Sequence, residues 1–454
     1  MRFVVAGGGV AGLAAALAVA RVGHSAVVLE RDAVAPQDSP EGAFDVARHG
    51  IPHFLQPHAF LPRGRRVLQR MAPDVLDALL EAGADPQDLA VKLRGSREPG
   101  DEELVYLWVR RPVIEWALRR AAAAEPAVEL RAGVEVAGLL TSDGATPRAL
   151  GVVVAGGEEV RGDVVVDALG RYRCPAGWPR SAGTPTDSGA IYYCRYFALN
   201  DGVEHLDAPL LNPRGDLGYM GFNTFRGDNR TFAVIMLAPA ADRELRVLRH
   251  ESSWMAACAA IRPLDVMTST DYSRPLTDVM PMGGLMNVDR TSDPGVAGIV
   301  AVGDGLCHTD PAFAYGLSFS LAHAEALARA AGDGDVEALG ARYRADVGPE
   351  ARERYALACE TDTDRARRWA GEQLDIGRRD GSYALFAFAA ALATAPHDDL
   401  ILRRTVRRIG LLDRTATFDQ DAELQERIET IFAGLSAPSS GPPREELLAL
   451  AAAS

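Results

Sequence analysis

Gly7, Gly9 and Gly12 stand at G-x-G-x-x-G spacing near the start of the chain, and Glu30 follows 18 residues after the last of them. Glycines so spaced serve one purpose. The first permits a tight turn, the second lets a backbone approach a pyrophosphate, and the third lets a helix close on a strand. The N–H groups at that helix start favour phosphate, and an acid at the end of the next strand can accept hydrogen bonds from a ribose. A second cluster follows in Gly303-Asp304 and in the run Pro311-Ala312-Phe313-Ala314-Tyr315-Gly316-Leu317-Ser318. Asp304 can bind a hydroxyl or cap a helix. The loop from Pro311 to Leu317 offers N–H groups near a helix start, which can hold a negatively charged group. No nucleophile triad, zinc-ligand spacing or paired carboxylates can be defended.

The elements that must position these residues are legible around them. Arg2–Ala6 reads as a buried strand, the Ala/Leu-rich stretch that the glycines open, apolar from Leu13 to Ala20, as a buried crossover helix and Ala26–Glu30 as a second strand. This βαβ unit is dinucleotide-binding in form. Residues 31–62 read as a long functional loop rich in Pro, His and Gly. Residues 63–83 read as one helix, 104–109 as a strand and 112–124 as a helix. Residues 128–167 read as a small β-meander that returns to the buried strand Val164–Asp167. Residues 190–240 hold strands dense in Tyr and Phe, 298–304 is another buried strand, and the chain is nearly all helical from about 317. Aromatic density at 192–232 suits either plain core or an apolar face for a substrate.

The chain has 454 residues, 48% hydrophobic and 24% charged, as a soluble globular protein of two or three domains would. With 48 Lys+Arg against 62 Asp+Glu the net charge is −14, which argues against a nucleic-acid or anionic-membrane partner. Five scattered cysteines without C-x-x-C spacing read as free thiols in a reducing compartment, with no metal site. No apolar run is long enough for a membrane span, and the fingerprint starting at Met1 leaves no room for a signal peptide, so a cytoplasmic location is expected.

Three motifs in order, the N-terminal fingerprint, Asp167-Ala168-Leu169-Gly170-Arg171 and Gly303-Asp304 through Ser318, resemble the single-component flavoprotein monooxygenases of the aromatic-hydroxylase superfamily. Arg48-His49-Gly50-Ile51-Pro52-His53, the stretch from His58 through Leu61-Pro62-Arg63-Gly64-Arg65-Arg66, and Tyr193-Cys194-Arg195-Tyr196 are similar to the branch of bacterial FAD-dependent epoxidases and tailoring oxygenases.

The resemblance implies an α/β fold. A discontinuous Rossmann-like FAD-binding domain (1–75, 101–180, 281–332) would carry an inserted β-sheet substrate domain (76–100, 181–280). A helical C-terminal region (333–436) and a flexible tail (437–454) would follow, the tail read as a flexible linker from Ala437 to Pro443 leading to a short helix. It assigns cofactor binding to Gly7, Gly9, Gly12, Glu30, Arg31, Arg48, Arg111, Gly303, Asp304, Pro311, Gly316 and Leu317. Catalytic candidates are Arg48, His58, Pro311 and Gly316. Arg48 would favour the reduced anionic ring from its pyrimidine edge. Gly303 would permit approach to the ribityl–pyrophosphate linkage held by Asp304.

The implied reaction inserts one oxygen atom from O2 into an apolar small molecule of natural-product biosynthesis, through a flavin 4a-hydroperoxide. Epoxidation and hydroxylation both stay open. NADH or NADPH would reduce the flavin, directly or through a separate flavin reductase. A flavin dehydrogenase or ene-type reductase is the rival on the same scaffold. A halogenase would need a W-x-W-x-I-P stretch and an active-site lysine, and Trp108-Val109-Arg110 and Lys92 do not supply them. The sequence departs from the family at Ala314, where a second glycine is common, at Tyr315 and His53, which stand for Gln, and at Tyr172-Arg173-Cys174, where relatives carry a Ser.

Overall fold

Short runs of Val, Ala and Leu form strands buried on both faces, the pattern of a parallel sheet covered on each side. In the computed structural model, which describes every residue except 145–146, 172–173, 182, 184, 379–382, 437–439 and 454, four such strands and a more exposed edge strand, Val128–Ala132, lie side by side. Their order is Ile299–Ala301, Val164–Asp167, Arg2–Ala6, Ser25–Glu30 and Val128–Ala132, all parallel. Alternation divides their side chains. Phe3, Val5 and Val28 face the helices, while Val4, Ala6, Val27 and Leu29 meet Val136, Val152 and Val160 of an antiparallel meander. The helix Val10–Ala20 is apolar all round because it is enclosed by the sheet, Tyr315–Ala331 and Arg111–Ala124.

A second, mostly antiparallel sheet is built around the long strand Ala190–Leu199. It pairs with Thr231–Pro239 on one side and with Ser273–Pro275 and Met280–Met282 on the other. Gly221–Arg226 and the edge strand Arg214–Asp216 complete it. Its aromatics serve both of the fates that the sequence left open. Tyr193, Phe197, Phe222 and Phe232 form a core with Trp254 of helix Glu251–Ala259. Tyr192 and Phe225 face a cavity instead.

Three expectations need correction. Residues 63–83 form two helices, Pro62–Met71 and Pro73–Glu81, because the residue before a proline is pushed out of the helical region: Ala72 has φ −148° and ψ 62°. The end of the chain is not a free tail. Helix Arg444–Ala452 docks Leu447 against helix Glu251–Ala259, and Arg444 pairs with Asp242 at 2.8 Å. The third correction, at Arg48, belongs to the site below. Tyr172 and Arg173 lie outside the described residues, as do Ala437, Pro438 and Ser439 of the expected linker. Among the described residues, no helix is long and apolar enough to cross a membrane.

Candidate functional site

The expected motifs converge on one cavity of about 710 Å³. Gly7, Gly9 and Glu30 line one end. Arg111, Asp304 and the loop Pro311–Leu317 follow, and Tyr192, Cys194, Phe225, Ile235 and Leu237 of the second sheet close the other end. Two glycines are demanded by close packing. Gly7 has φ +110°, and a Cβ there would lie 2.4 Å from the Ala168 carbonyl oxygen. A Cβ on Gly12 would lie 1.9 Å from the Gly7 oxygen. At Gly9 a Cβ would meet nothing nearer than Ile51 Cδ1 at 3.6 Å, so it would project into the cleft. Gly303 has a different cause from the expected one. With φ +55°, its Cβ would strike Ala11 and Ser320 at 2.9 Å, so the glycine serves contact between sheet and helices.

Glu30 ends its strand as expected, with its carboxylate already organised. Oε2 accepts from Gly8 N–H at 3.0 Å and Oε1 from Asp32 N–H at 2.9 Å. Arg48 closes on the same carboxylate at 3.1 Å, on Asp32 at 3.2 Å and on Glu115 at 2.8 Å. Burial raises the Glu30 pKa, yet the Arg48 charge and these bonds hold it below its ordinary value. This corrects Arg48. Its side chain is 1% exposed and committed to three carboxylates at the Gly8 end of the cavity. It therefore clamps residues 46–58 to the βαβ unit rather than meeting the Pro311 loop. Arg31 lies beside this cluster, 3.9 Å from Asp32.

Asp304 and Gly316 are brought together: a Cβ on Gly316 would stand 3.7 Å from Asp304 Oδ1. Among the described residues no group hydrogen-bonds the Asp304 carboxylate, which faces the cavity. Pro311–Phe313 form a tight turn capped by Asp310, which accepts from Ala312 N–H at 3.1 Å. Ala314 then takes φ +55° before helix Tyr315–Ala331 begins. That is the left-handed region where a glycine is unstrained, and alanine there costs about 1 kcal/mol. The first-turn N–H groups of this helix, at Tyr315, Gly316 and Leu317, open on the cavity.

His58 sits between its neighbours as a neutral ring. Nδ1–H donates to the Gln56 carbonyl at 2.7 Å, and Nε2 can accept from Arg111 at 3.4 Å. Burial, then the Arg111 charge, pulls its pKa down to about 3. At neutral pH it orients Arg111 and is uncharged, with its one N–H committed to the Gln56 carbonyl. His53 is held similarly by Arg171 at 2.9 Å, with its pKa well below 6.5 through burial and the arginines. Arg111 Nε is buried without a partner, as is Gln56 Oε1. An unmet donor, an unmet acceptor and a glycine cleft fit a bound dinucleotide.

One group was missed from sequence. Tyr192 donates its hydroxyl to Asp310 Oδ1 at the cavity wall. Arg365, from the long helix Val336–Trp369, holds Asp310 at 2.7 Å and Asp362 at 2.9 Å. Asn287 donates to Asp362 at 2.7 Å and accepts from Asp310 N–H at 2.6 Å. Asp310 adjoins the recognised motif, but nothing local in the sequence marks Arg365 as its partner. Burial and the neighbouring Asp310 charge push the Asp362 pKa from 3.8 up to about 8. A carboxyl that holds its proton more tightly when folded stabilises the fold most at low pH. That contribution declines as pH rises from about 4 to about 8 and is then constant. Asp362→Asn removes the titration, so the variant should gain stability relative to wild type across that window and no further above it. Urea unfolding at several pH values reads the trend; a pH-independent difference would place Asp362 outside the proton balance.

No protein-family model matches this sequence, and no curated protein matches it. Solved structures do. PqsL from Pseudomonas aeruginosa, described as a probable FAD-dependent monooxygenase, superposes with TM-score 0.59 at 17% identity, over 82% of this chain and 98% of its own. The flavin-dependent brominase Bmp2 gives TM-score 0.58 at 15% identity, over 93% of this chain and all of its own (100%). A variant of 2-methyl-3-hydroxypyridine-5-carboxylic acid oxygenase gives 0.55 at 17%, over 81% and 92%. The fold is the one these enzymes share. It combines a parallel sheet, a second sheet and a helical C-terminal region, with no sheet closed among the described residues.

Proposed function

We infer that this chain is an FAD-dependent monooxygenase that places one oxygen atom from O2 in a largely apolar small molecule, by epoxidation or hydroxylation. The observation that carries the reading is the continuity of one cavity from the glycine cleft, past Asp304 and the Pro311–Leu317 loop, to an apolar sheet face. FAD, when bound and reduced, would supply oxygen activation; NADH or NADPH would reduce it, directly or through a separate reductase. The chain's own groups do the rest. Gly7, Gly9 and the first helix N-terminus hold the pyrophosphate, Glu30 has acceptor capacity left for a ribose, and Arg111 and Asp304 meet the linkage. Tyr315, Gly316 and Leu317 present N–H groups where negative charge would develop. The sheet face excludes water from the reacting carbon. Lys92, the chain's one lysine, pairs with Asp207 at 2.5 Å and is not among the cavity-lining residues, which favours oxygenation over a halogenase-type reaction.

The test begins with released cofactor, expected to be FAD. Anaerobic reduction by NADH and NADPH, with and without candidate substrates, is then followed by labelled dioxygen. One labelled atom should appear in product. A product that is desaturated or reduced, with no dioxygen-derived atom, would replace this reading with the dehydrogenase or reductase one.

A further inference from the structure

The oxygen insertion proposed above consumes one proton per cycle: NADH or NADPH, O2, a proton and the substrate give the oxidised nicotinamide, the oxygenated product and water. In a cavity that excludes water, that proton has to come from the wall. The enclosed histidines and buried thiols of the wall do not supply it. Burial first of all draws His58 down to about 3, His308 to about 4 and His53 well below 6.5, so all three are uncharged at neutral pH. Burial also pushes the Cys194 and Cys307 thiols up, so they keep their protons.

One hydrogen-bonded chain leaves the wall and ends at a stored proton. Tyr192 faces the cavity, as do its cross-strand neighbours Leu237 and Met282. Its hydroxyl donates inward to Asp310 Oδ1. Behind Asp310 a single nitrogen, Arg365 Nη2, reaches Asp310 Oδ2 at 2.7 Å and Asp362 Oδ1 at 2.9 Å. Two buried carboxyls that share one cation carry one negative charge too many, and such a pair keeps a proton. The bonds decide which carboxyl keeps it. Asp310 is engaged as an acceptor by Tyr192, by Ala312 N–H and by Arg365. Asp362 accepts from Asn287 at Oδ2, while its buried Oδ1 has no hydrogen-bond partner among the described residues. A proton on Oδ1 makes Asp362 a donor to Asp310. Burial, then the Asp310 charge, holds that proton up to about 8. Cys359, on the same helix, is the further titratable neighbour of Asp362, and burial keeps its thiol neutral.

We propose that Asp362, Asp310 and Tyr192 form a proton relay that delivers into the cavity the proton each oxygen-insertion cycle consumes. Asp362 passes its proton to Asp310. Tyr192 turns its O–H toward an oxygen anion in the cavity and gives up that proton, while its oxygen takes the new one from Asp310. The Tyr192–Asp310 bond is thereby restored, and Asp362 is left as a carboxylate. Solvent refills it from the side of Arg365, whose side chain keeps 12% exposure. Tyr192 never has to ionise, which burial and the Asp310 charge oppose. The relay rests on the monooxygenase reading for its proton acceptor.

Infrared spectra of the apoprotein test the stored proton without any turnover. A carboxylic-acid carbonyl band should be present at neutral pH, fade as pH passes about 8 and be missing from Asp362→Asn. The transfer is read on FAD-loaded protein, reduced anaerobically with dithionite and mixed with O2 in the absence of substrate. Hydrogen peroxide is then the product, and its formation from nicotinamide-level reducing equivalents also takes up one proton. The rate of flavin reoxidation in wild type should fall about tenfold per pH unit above about pH 8 and be slower in deuterium oxide. Tyr192→Phe and Asp362→Asn should each lower the rate near pH 7 by about tenfold or more and flatten the profile. A cluster that only braces the loop would change the melting temperature in these variants and leave the profile as it was. A missing carboxylic-acid band, a flat wild-type profile, or a variant that keeps the wild-type profile would each overturn the relay, while FAD uptake and reaction with O2 leave the monooxygenase reading in place. A protein that takes up no FAD would overturn both.

Discussion

Gly12→Val should abolish FAD binding. The Cβ alone would sit 1.9 Å from the Gly7 carbonyl oxygen and 3.2 Å from Ala168 Cβ. The helix Val10–Ala20 cannot yield locally, because the sheet and two further helices enclose it. It would have to move off the strand and take its N-terminal N–H groups away from any phosphate. We expect affinity to fall by a factor of about a hundred or more, with about 1–3 kcal/mol lost from the apoprotein through overpacking. Gly9→Ala separates the two effects. Its methyl would meet only Ile51 Cδ1 at 3.6 Å, so the melting temperature should hold while FAD affinity falls. Titration of both apoproteins with FAD, beside thermal melts, reads the pair. Near-normal affinity in Gly12→Val would reduce the glycine run to a turn.

That glycine run was legible because every requirement on it is local: turn, close approach and helix start fall within six residues, and the acid falls at the end of the next strand. The Pro311–Leu317 loop was legible for the same reason, and the departure at Ala314 turned out to sit at φ +55°, where a glycine would be unstrained. Helix Arg444–Ala452 was expected as a short tail helix, and its docking is what the sequence did not show. Its Leu447 and Ala451 stand four apart, a one-face pattern, but only the distant helix Glu251–Ala259 gives that face something to cover. Arg48 was misplaced because its three partners come from two other segments, Glu30 and Asp32 at one strand end and Glu115 on a helix. No spacing rule brings those carboxylates to one arginine. The break at Ala72–Pro73 was open to a purely local argument; the apolar periodicity of 63–83 simply runs through it.

Arg365→Met should cost about 3–5 kcal/mol at pH 8, the range for breaking a buried ion pair from one side. It would leave Asp310 and Asp362 facing each other with neutral donors, the Tyr192 hydroxyl and Ala312 N–H on Asp310 and the Asn287 amide on Asp362. The loss should depend on pH with a definite sign. In wild type, burial raises the Asp310 pKa, but the Arg365 charge and the Tyr192 bond hold it below its ordinary value. Without Arg365 the pair of carboxyls must keep a proton at higher pH, so the folded state of the variant binds more protons than the unfolded one. Its deficit should therefore shrink as pH falls toward about 4, the ordinary aspartate range. Denaturant unfolding at pH 8 and near pH 5 reads this. Asp310→Asn combined with Arg365→Met should cost less than the two single changes added, since the double variant leaves fewer opposed charges. The consequence for the site follows from position. Asp310 caps the turn at Ala312, receives the Tyr192 hydroxyl and stands next to Pro311. A chain that loses Arg365 should therefore hold FAD with an altered visible spectrum even where it still folds. An unchanged spectrum and an unchanged unfolding midpoint would mean that the long C-terminal helix lies against the loop without bracing it.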